Sequence, residues 1–339
     1  MPRPPAMTKL YDTSDLIPTY PEQNPFLFDL PPTNLTPWPD PIANYDTDEF
    51  RKAALAIAET RGINPLCMAY GSPPLVFSND LALSKMLPFT AYERPAPIPE
   101  TTLPEDVEFL GQIWRQTTIT ALFTVRVAGT VRLLKVYPER TVHTVANDSV
   151  FRNPHEPDAI SIDRCEQELD GYAHLQHYGV TAKGIVPQCY GWLTLTSAHI
   201  EQILALPKLS DATKGMKLAS EPPRAILLEY FADAQPLTID NISMEIADVV
   251  LRSLVELHSA YVLHGDVHSR NILVLPGDRI AWVDLNFSRT PVSPKRCYRY
   301  NLLAELSKCW SLLYQELLPD KRIGFRTWQP PTSDDEEPQ

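Results

Sequence analysis

Proline constrains this chain more than any other residue. Of its 34 prolines, 19 fall at or before Pro104. Proline locks φ and has no N–H to give to a ladder, so a stretch that carries it every few residues sustains neither a helix interior nor a central strand. Residues 1–46 (PRPP, PTYPEQNP, DLPPTNLTPWPDP) therefore read as disordered, or as a strap docked loosely through Phe26, Phe28, Leu30 and Trp38. Residues 47–61 (TDEFRKAALAIAETR) interrupt the pattern with a short helix, started at Asp46 or Thr47 and stopped at Gly62. Proline-punctuated turns return over 63–104, so 47–104 reads as an N-terminal extension with one helix.

From Glu105 the composition changes. VEFLGQI (107–113), TALFTVRVAG (120–129) and TVRLLKVYP (130–138) are rich in β-branched and aromatic residues and predict three successive antiparallel strands, with a turn at Gly129-Thr130. A polar loop covers 139–160. A helical pattern follows over 161–178, opened by Ser161 or Asp163 and closed by Gly179. Strands are expected at 185–195 and 225–231, around a charged insertion at 196–224. Beyond Ala232 the chain turns helical, with amphipathic stretches at 242–260 and 298–318. The organisation expected is a β-rich region at 105–231, a helical region at 232–320 and an acidic, disordered tail at 321–339.

Bulk properties narrow the field. A net charge of −12 argues against a nucleic-acid surface, which needs a basic stripe. Five scattered cysteines (Cys67, Cys165, Cys189, Cys297, Cys309) form no C-x-x-C pair and read as reduced thiols of an intracellular protein, in cytosol or nucleus. MPRPPAMTKL has no apolar stretch of a secretory signal, and no apolar run is long enough to span a membrane, so no membrane partner is expected.

The chemistry concentrates in His264-Gly-Asp-Val-His-Ser-Arg-Asn271, followed after the short strand ILVL by Ala281-Trp-Val-Asp284. Carboxylates and an amide on short loops between strand-like runs are what phosphoryl transfer needs. Asp266 can accept a hydroxyl proton, while the amide oxygen of Asn271 and the carboxylate of Asp284 are hard ligands suited to magnesium. The pattern resembles the protein-kinase-like superfamily, and His268 makes the loop similar to the aminoglycoside and choline kinase branch.

That resemblance implies an α+β, two-lobed protein-kinase-like fold, with an antiparallel sheet and one helix in the first lobe and a reduced helical second lobe. It implies an ATP- and Mg²⁺-dependent phosphotransferase, passing the γ-phosphate to a hydroxyl of a small molecule or of a protein Ser/Thr. Asp266 would orient the acceptor hydroxyl, with His268 beside it. Asn271 and Asp284 would hold magnesium. Lys135, in V-R-L-L-K-V, matches the lysine that anchors ATP phosphates, with Glu168 from the 161–178 helix as its ion partner. Strand alternation puts Leu133, Lys135 and Tyr137 on one face. The carbonyl of Glu229 and the N–H of Phe231 would meet the adenine edge, and Gly111 is what survives of the phosphate-binding glycines.

Three departures qualify the resemblance. The glycine-rich loop is missing: only Gly111 of Gly111-Gln-Ile-Trp-Arg-Gln116 matches, leaving Arg115, Thr117, Thr118 and Lys135 for the phosphates. The magnesium motif reads Asp284-Leu285-Asn286, without a glycine hinge. Gly265 stands where an arginine would read an activating phosphate. Two alternatives follow: a pseudokinase that uses the fold for binding, and a metal-dependent hydrolase built on His264-x-Asp266-x-His268. His174 and His177 read as exposed helix residues, and Tyr298, Tyr300, Trp310 and Tyr314 as core.

Overall fold

The computed structural model describes residues 47–70, 92–113, 120–138, 142–146, 159–207, 209–210, 213, 216, 221–293 and 299–325. The fold is mixed α+β, with an antiparallel sheet and several helices, and the chain divides into two compact units. One gathers the described parts of Arg94–Ala232 and Asp284–Arg296; the other gathers those of Met1–Glu93, Asp233–Val283 and Cys297–Gln339. The segment 1–46, read as disordered or loosely docked, lies outside the described residues, as do Arg115, Thr117, Thr118, Cys297, Tyr298 and the tail 326–339.

The first unit is built on a five-stranded antiparallel sheet. Its strands are β1 (Glu108–Ile113), β2 (Ala121–Val127), β3 (Thr130–Tyr137), β6 (Cys189–Thr194) and β7 (Arg224–Glu229), in the order β1-β2-β3-β7-β6. Alternation sends Phe123, Val125, Leu134, Val136, Ala225 and Leu227 into one buried cluster, closed by Ile203 of α3 (Ser197–Leu204). Each such side chain contributes about 1.5–3 kcal/mol on burial, so this layer fixes the register of β3. With Leu134 and Val136 committed to one face, Leu133, Lys135 and Tyr137 must take the other.

The β2–β3 turn is Ala128-Gly129, one residue earlier than the strand patterning indicates. Val127 pairs with Thr130, and both turn residues have positive φ (47° and 78°), as a two-residue hairpin requires. The polar loop expected at 139–160 contains two paired strands, β4 (Val142–Ala146) and β5 (Ala159–Asp163). β5 runs straight into α2 (Arg164–His177), where the Asp163 carboxylate caps the N–H groups of Cys165 and Glu166. Residues 94–104 lie along edge strand β6: Trp192 N–H donates to Pro99 O and Thr101 N–H to Trp192 O. A Cβ on Gly191 (φ 138°) would come within 2.9 Å of Thr101, so only glycine lets that segment approach.

The second unit centres on α4 (Met244–Ser259), whose buried stripe includes Ile246, Val250, Leu254 and Leu257. It packs on α5 (Arg299–Ser311) and on a three-stranded sheet of β8 (Gln235–Pro236), β9 (Ile272–Leu275) and β10 (Arg279–Trp282). Pro236 sits on the edge strand, where its missing N–H costs no ladder bond. The second amphipathic stretch runs further than its pattern indicates: α5 continues through a π turn (Leu312–Leu317) into α6 (Leu318–Ile323). Helix α1 (Asp48–Arg61), capped by Thr47 and Gly62, buries Ala54 and Ala58 with Leu66 and Ile323. Asn64 bonds Asp320, tying the end of α1 to α6. Trp310 and Tyr314 stack in this core at 5.2 Å.

Candidate functional site

The residues singled out from sequence fall into two clusters, one in each unit. In the first unit Lys135 points from the middle of β3 onto α2. Its ammonium is buried and donates to Glu168 Oε2 at 2.5 Å and to Asp284 Oδ1 at 2.5 Å. The Tyr137 hydroxyl, two residues along the same face, donates to the same oxygen of Glu168. Burial works against the Lys135 charge, but Asp284 and Glu168 outweigh it and hold the lysine above its ordinary value. The ammonium is therefore permanent, and this is a buried ion cluster with one cation between two carboxylates.

Asp284 stands two residues beyond the end of β10. Its φ of 70° is left-handed, uncommon for a residue with a side chain and unfavourable unless its surroundings over-determine it. Gly111 sits in β1 opposite Thr124, next to a bulge, and a Cβ placed on it would meet nothing within 4 Å. Glu229 ends β7, where its N–H and carboxylate bond the backbone of Gln188; Phe231 is half-buried two residues beyond. None of these three belongs to the Lys135 hydrogen-bond cluster.

In the second unit Asp266 and Asn271 meet. The Asn271 amide nitrogen donates to Asp266 Oδ2 at 2.8 Å and to Asp266 O at 3.0 Å. Two acceptors on one side fix which end of the amide carries the nitrogen. The other end, Oδ1, is buried without a hydrogen-bond partner among the described residues. Arg270 reaches the same Asp266 oxygen at 3.2 Å. His268 caps the single turn Ser269–Asn271, its carbonyl accepting from Asn271 N–H; burial and the Arg270 charge hold its imidazole below the usual value, in the neutral form.

His264 is buried against Trp282. Its Nε2–H donates to Val283 O at 3.1 Å and its Nδ1 accepts from Asp266 N–H at 3.3 Å. Both ring nitrogens thus serve the backbone. Among the described residues no group of three His, Cys, Asp or Glu side chains is placed to hold a metal ion.

Two contributors escape the sequence reading. Glu305 of α5 is buried, and its carboxylate accepts from Gly265 N–H (2.7 Å), His264 N–H (2.9 Å) and His258 Nε2 (2.8 Å). Burial raises its carboxyl, but the bonds and charge from His258, with the bond from Gly265, win and hold it below the ordinary value. Glu305 therefore acts as a bracket for the strand-like entry to the Asp266 loop. The signal lay in α5 itself: a carboxylate on the apolar stripe of Leu302, Leu306 and Cys309 requires a partner. Tyr137 is the other, its face foreseen but not its hydroxyl's partner. His174, expected to be exposed, is buried, its Nδ1–H donating to Asp170 O at 2.7 Å; His177 is exposed.

A cavity of about 750 Å³ opens elsewhere on the first unit, against Gln167, Leu169, Asp170 and Ala173 of α2, Trp192 and the segment 94–98. It includes neither Lys135, Glu168 nor Asp284, so we attach the chemistry to the clustered side chains and not to this concavity. No helix among the described residues is long and apolar enough to cross a membrane. No family model matches the chain, and no curated protein matches it either.

Proposed function

We propose that the chain is an ATP- and Mg²⁺-dependent phosphotransferase of protein-kinase-like, two-lobed fold, with a hydroxyl acceptor on a small molecule or a protein Ser/Thr. The observation that carries this reading is the orphaned, buried Oδ1 of Asn271, held in place by two bonds from its own amide nitrogen to Asp266. A neutral amide oxygen with its lone pairs unused in a buried site is a hard ligand suited to a cation. Supporting it, the buried ammonium of Lys135 stands ready-charged for phosphate, and Glu168 keeps it in place.

Each side chain then has a role. Lys135 would meet a phosphate oxygen, and Asn271 and Asp284 would be the residues that hold magnesium. Magnesium, when bound, neutralises charge on the phosphates. Asp266 receives the acceptor's O–H in a hydrogen bond and takes the proton as the oxygen attacks. The Asn271 amide and Arg270 hold Asp266 Oδ2, which leaves Oδ1 to the acceptor. His268, neutral, borders that position.

A binding-only pseudokinase is the second reading, favoured by one observation: the segment that would cover phosphates retains a single glycine, set within a strand. The same experiment separates the two. ATP is titrated with and without Mg²⁺ while unfolding is followed, and γ-phosphate transfer is assayed across a library of hydroxyl acceptors. Wild type should be stabilised by about 2.7 kcal/mol at 100 times the Kd. Asn271→Ala should lose the magnesium dependence, and Asp266→Asn should bind normally and transfer nothing. Stabilisation with no acceptor phosphorylated would favour the binding module, and no metal-dependent stabilisation would end the kinase reading.

A further inference from the structure

Asp284 does not sit at the start of a free loop. Residues 284–293 lie on α2, the helix that carries Glu168, and contact it along three successive turns. Arg164 donates to Asn286 O at 3.3 Å, and its guanidinium lies 3.9 Å above the Phe287 ring. Ser288 Oγ–H donates to Gln167 O at 3.2 Å. The Thr290 hydroxyl donates to Asp170 Oδ2, with Ser293 Oγ at 3.5 Å from the same oxygen. Leu285, Asn286, Ser288, Thr290 and Ser293 are all buried.

One position makes this approach possible. A Cβ on Gly171 would stand 2.7 Å from Ser288 Oγ and 3.6 Å from a Leu285 methyl carbon, closer to the hydroxyl than real side chains come. Gly171 lies in the interior of α2, where glycine is less favourable than alanine. The helix accepts that cost where the segment crosses it. The crossing segment begins at Asp284, whose backbone is left-handed.

We infer that Gly171, Thr290 and Asp170 are positioning residues for Asp284: they weld residues 284–293 to α2, so that Glu168 and Asp284 are presented to Lys135 together as one preassembled cluster. The consequence is an ion cluster with no step that swings Asp284 in or out. This deepens the phosphotransferase reading by stating how its magnesium carboxylate is set, yet the geometry does not depend on nucleotide.

The test reads the Lys135 amine in the full-length protein without nucleotide. Lys135 is acylated with a water-soluble amine reagent and quantified by peptide mass spectrometry against exposed Lys52. An amine held by two carboxylates is shielded from the reagent, and one freed from Asp284 should react severalfold faster. Gly171→Ala and Thr290→Val should raise Lys135 acylation by a factor comparable to Asp284→Asn, and Thr290→Ser, which keeps the hydroxyl, should stay at the wild-type rate. If Gly171→Ala does not fold, the Thr290 pair decides alone. Wild-type acylation in Thr290→Val alongside fast acylation in Asp284→Asn would overturn the assignment. Failure of ATP binding with this labelling pattern intact would sink the phosphotransferase reading and leave the weld standing.

Discussion

The two clusters hold their carboxylates by opposite means. Around Lys135, charge is held by charge: two carboxylates and one ammonium, nearly dry, each intolerable without the others. Around Asp266, the carboxylate is held by a neutral amide and an exposed arginine, and its loop by a second carboxylate, Glu305, that collects backbone N–H groups. The first arrangement is rigid and fixed in charge. The second leaves Asp266 partly solvated. In the proposed reaction the first would meet phosphate and the second the acceptor hydroxyl.

The sharpest way to break this contrast is to remove the central cation. Lys135→Met should cost about 3–5 kcal/mol in urea unfolding at neutral pH, because a buried Glu168 is left beside a half-buried Asp284 with no cation between them. Burial already pushes the Glu168 carboxyl above its ordinary 4.5, and without Lys135 only the bond from the Tyr137 hydroxyl offsets it. A folded value above the unfolded one penalises the charged form as pH rises past 4.5, so the deficit of the variant should shrink at pH 5. An equal deficit at both pH values would mean the cluster is not governed by charge.

Glu305→Gln tests the other region. Losing charge-assisted bonds to two backbone N–H groups and His258 should cost about 1.5–3 kcal/mol. The folded carboxyl lies below its unfolded 4.5, so its contribution is complete above that value and is lost as pH falls through the lower folded one. Wild type should therefore steepen in instability below pH 4.5 where the variant does not. Parallel acid titrations of the two proteins would remove Glu305 from the account.

Asn271→Ala should have a modest structural effect, about 1–2 kcal/mol for the bonds to Asp266, and a complete effect on magnesium-dependent ATP stabilisation. Retained metal dependence would place the cation elsewhere. The smallest change is a control on the hairpin under Lys135. Ala128 has φ 47° in a turn that favours Asn there, so Ala128→Asn should add about 0.5–1 kcal/mol with Lys135 acylation unchanged. A change in acylation would show that the turn, and not the weld on α2, sets the cluster.

Much of the frame was readable along the chain because it depends on local rules. Alternation in V-R-L-L-K-V put Lys135 opposite the core-facing Leu134 and Val136, and the resemblance named Glu168 as its partner. The structure brings Lys135 and Glu168 together, and leaves Glu166 largely exposed. Asp266 and Asn271 were singled out separately, as base and as magnesium ligand, and only the structure shows the amide bonding the carboxylate. The hairpin of β4 and β5 was not legible, because two short strands in a polar stretch carry little period of their own and are held by pairing with each other. His174 was misread because helix patterning does not reveal which polar residue a neighbouring segment will cover.

Residue order alone determined the antiparallel strands, the helix stripes and which side chains share a face, since those follow from backbone period and side-chain polarity within a few residues. Tertiary structure alone decided that Asp284 bonds Lys135 from 149 positions away, that Glu305 holds the Asp266 loop, and that Gly171 is bare because another segment lies upon it. Those contacts join segments distant along the chain. Their existence depends on packing two surfaces at once, which no local period can encode.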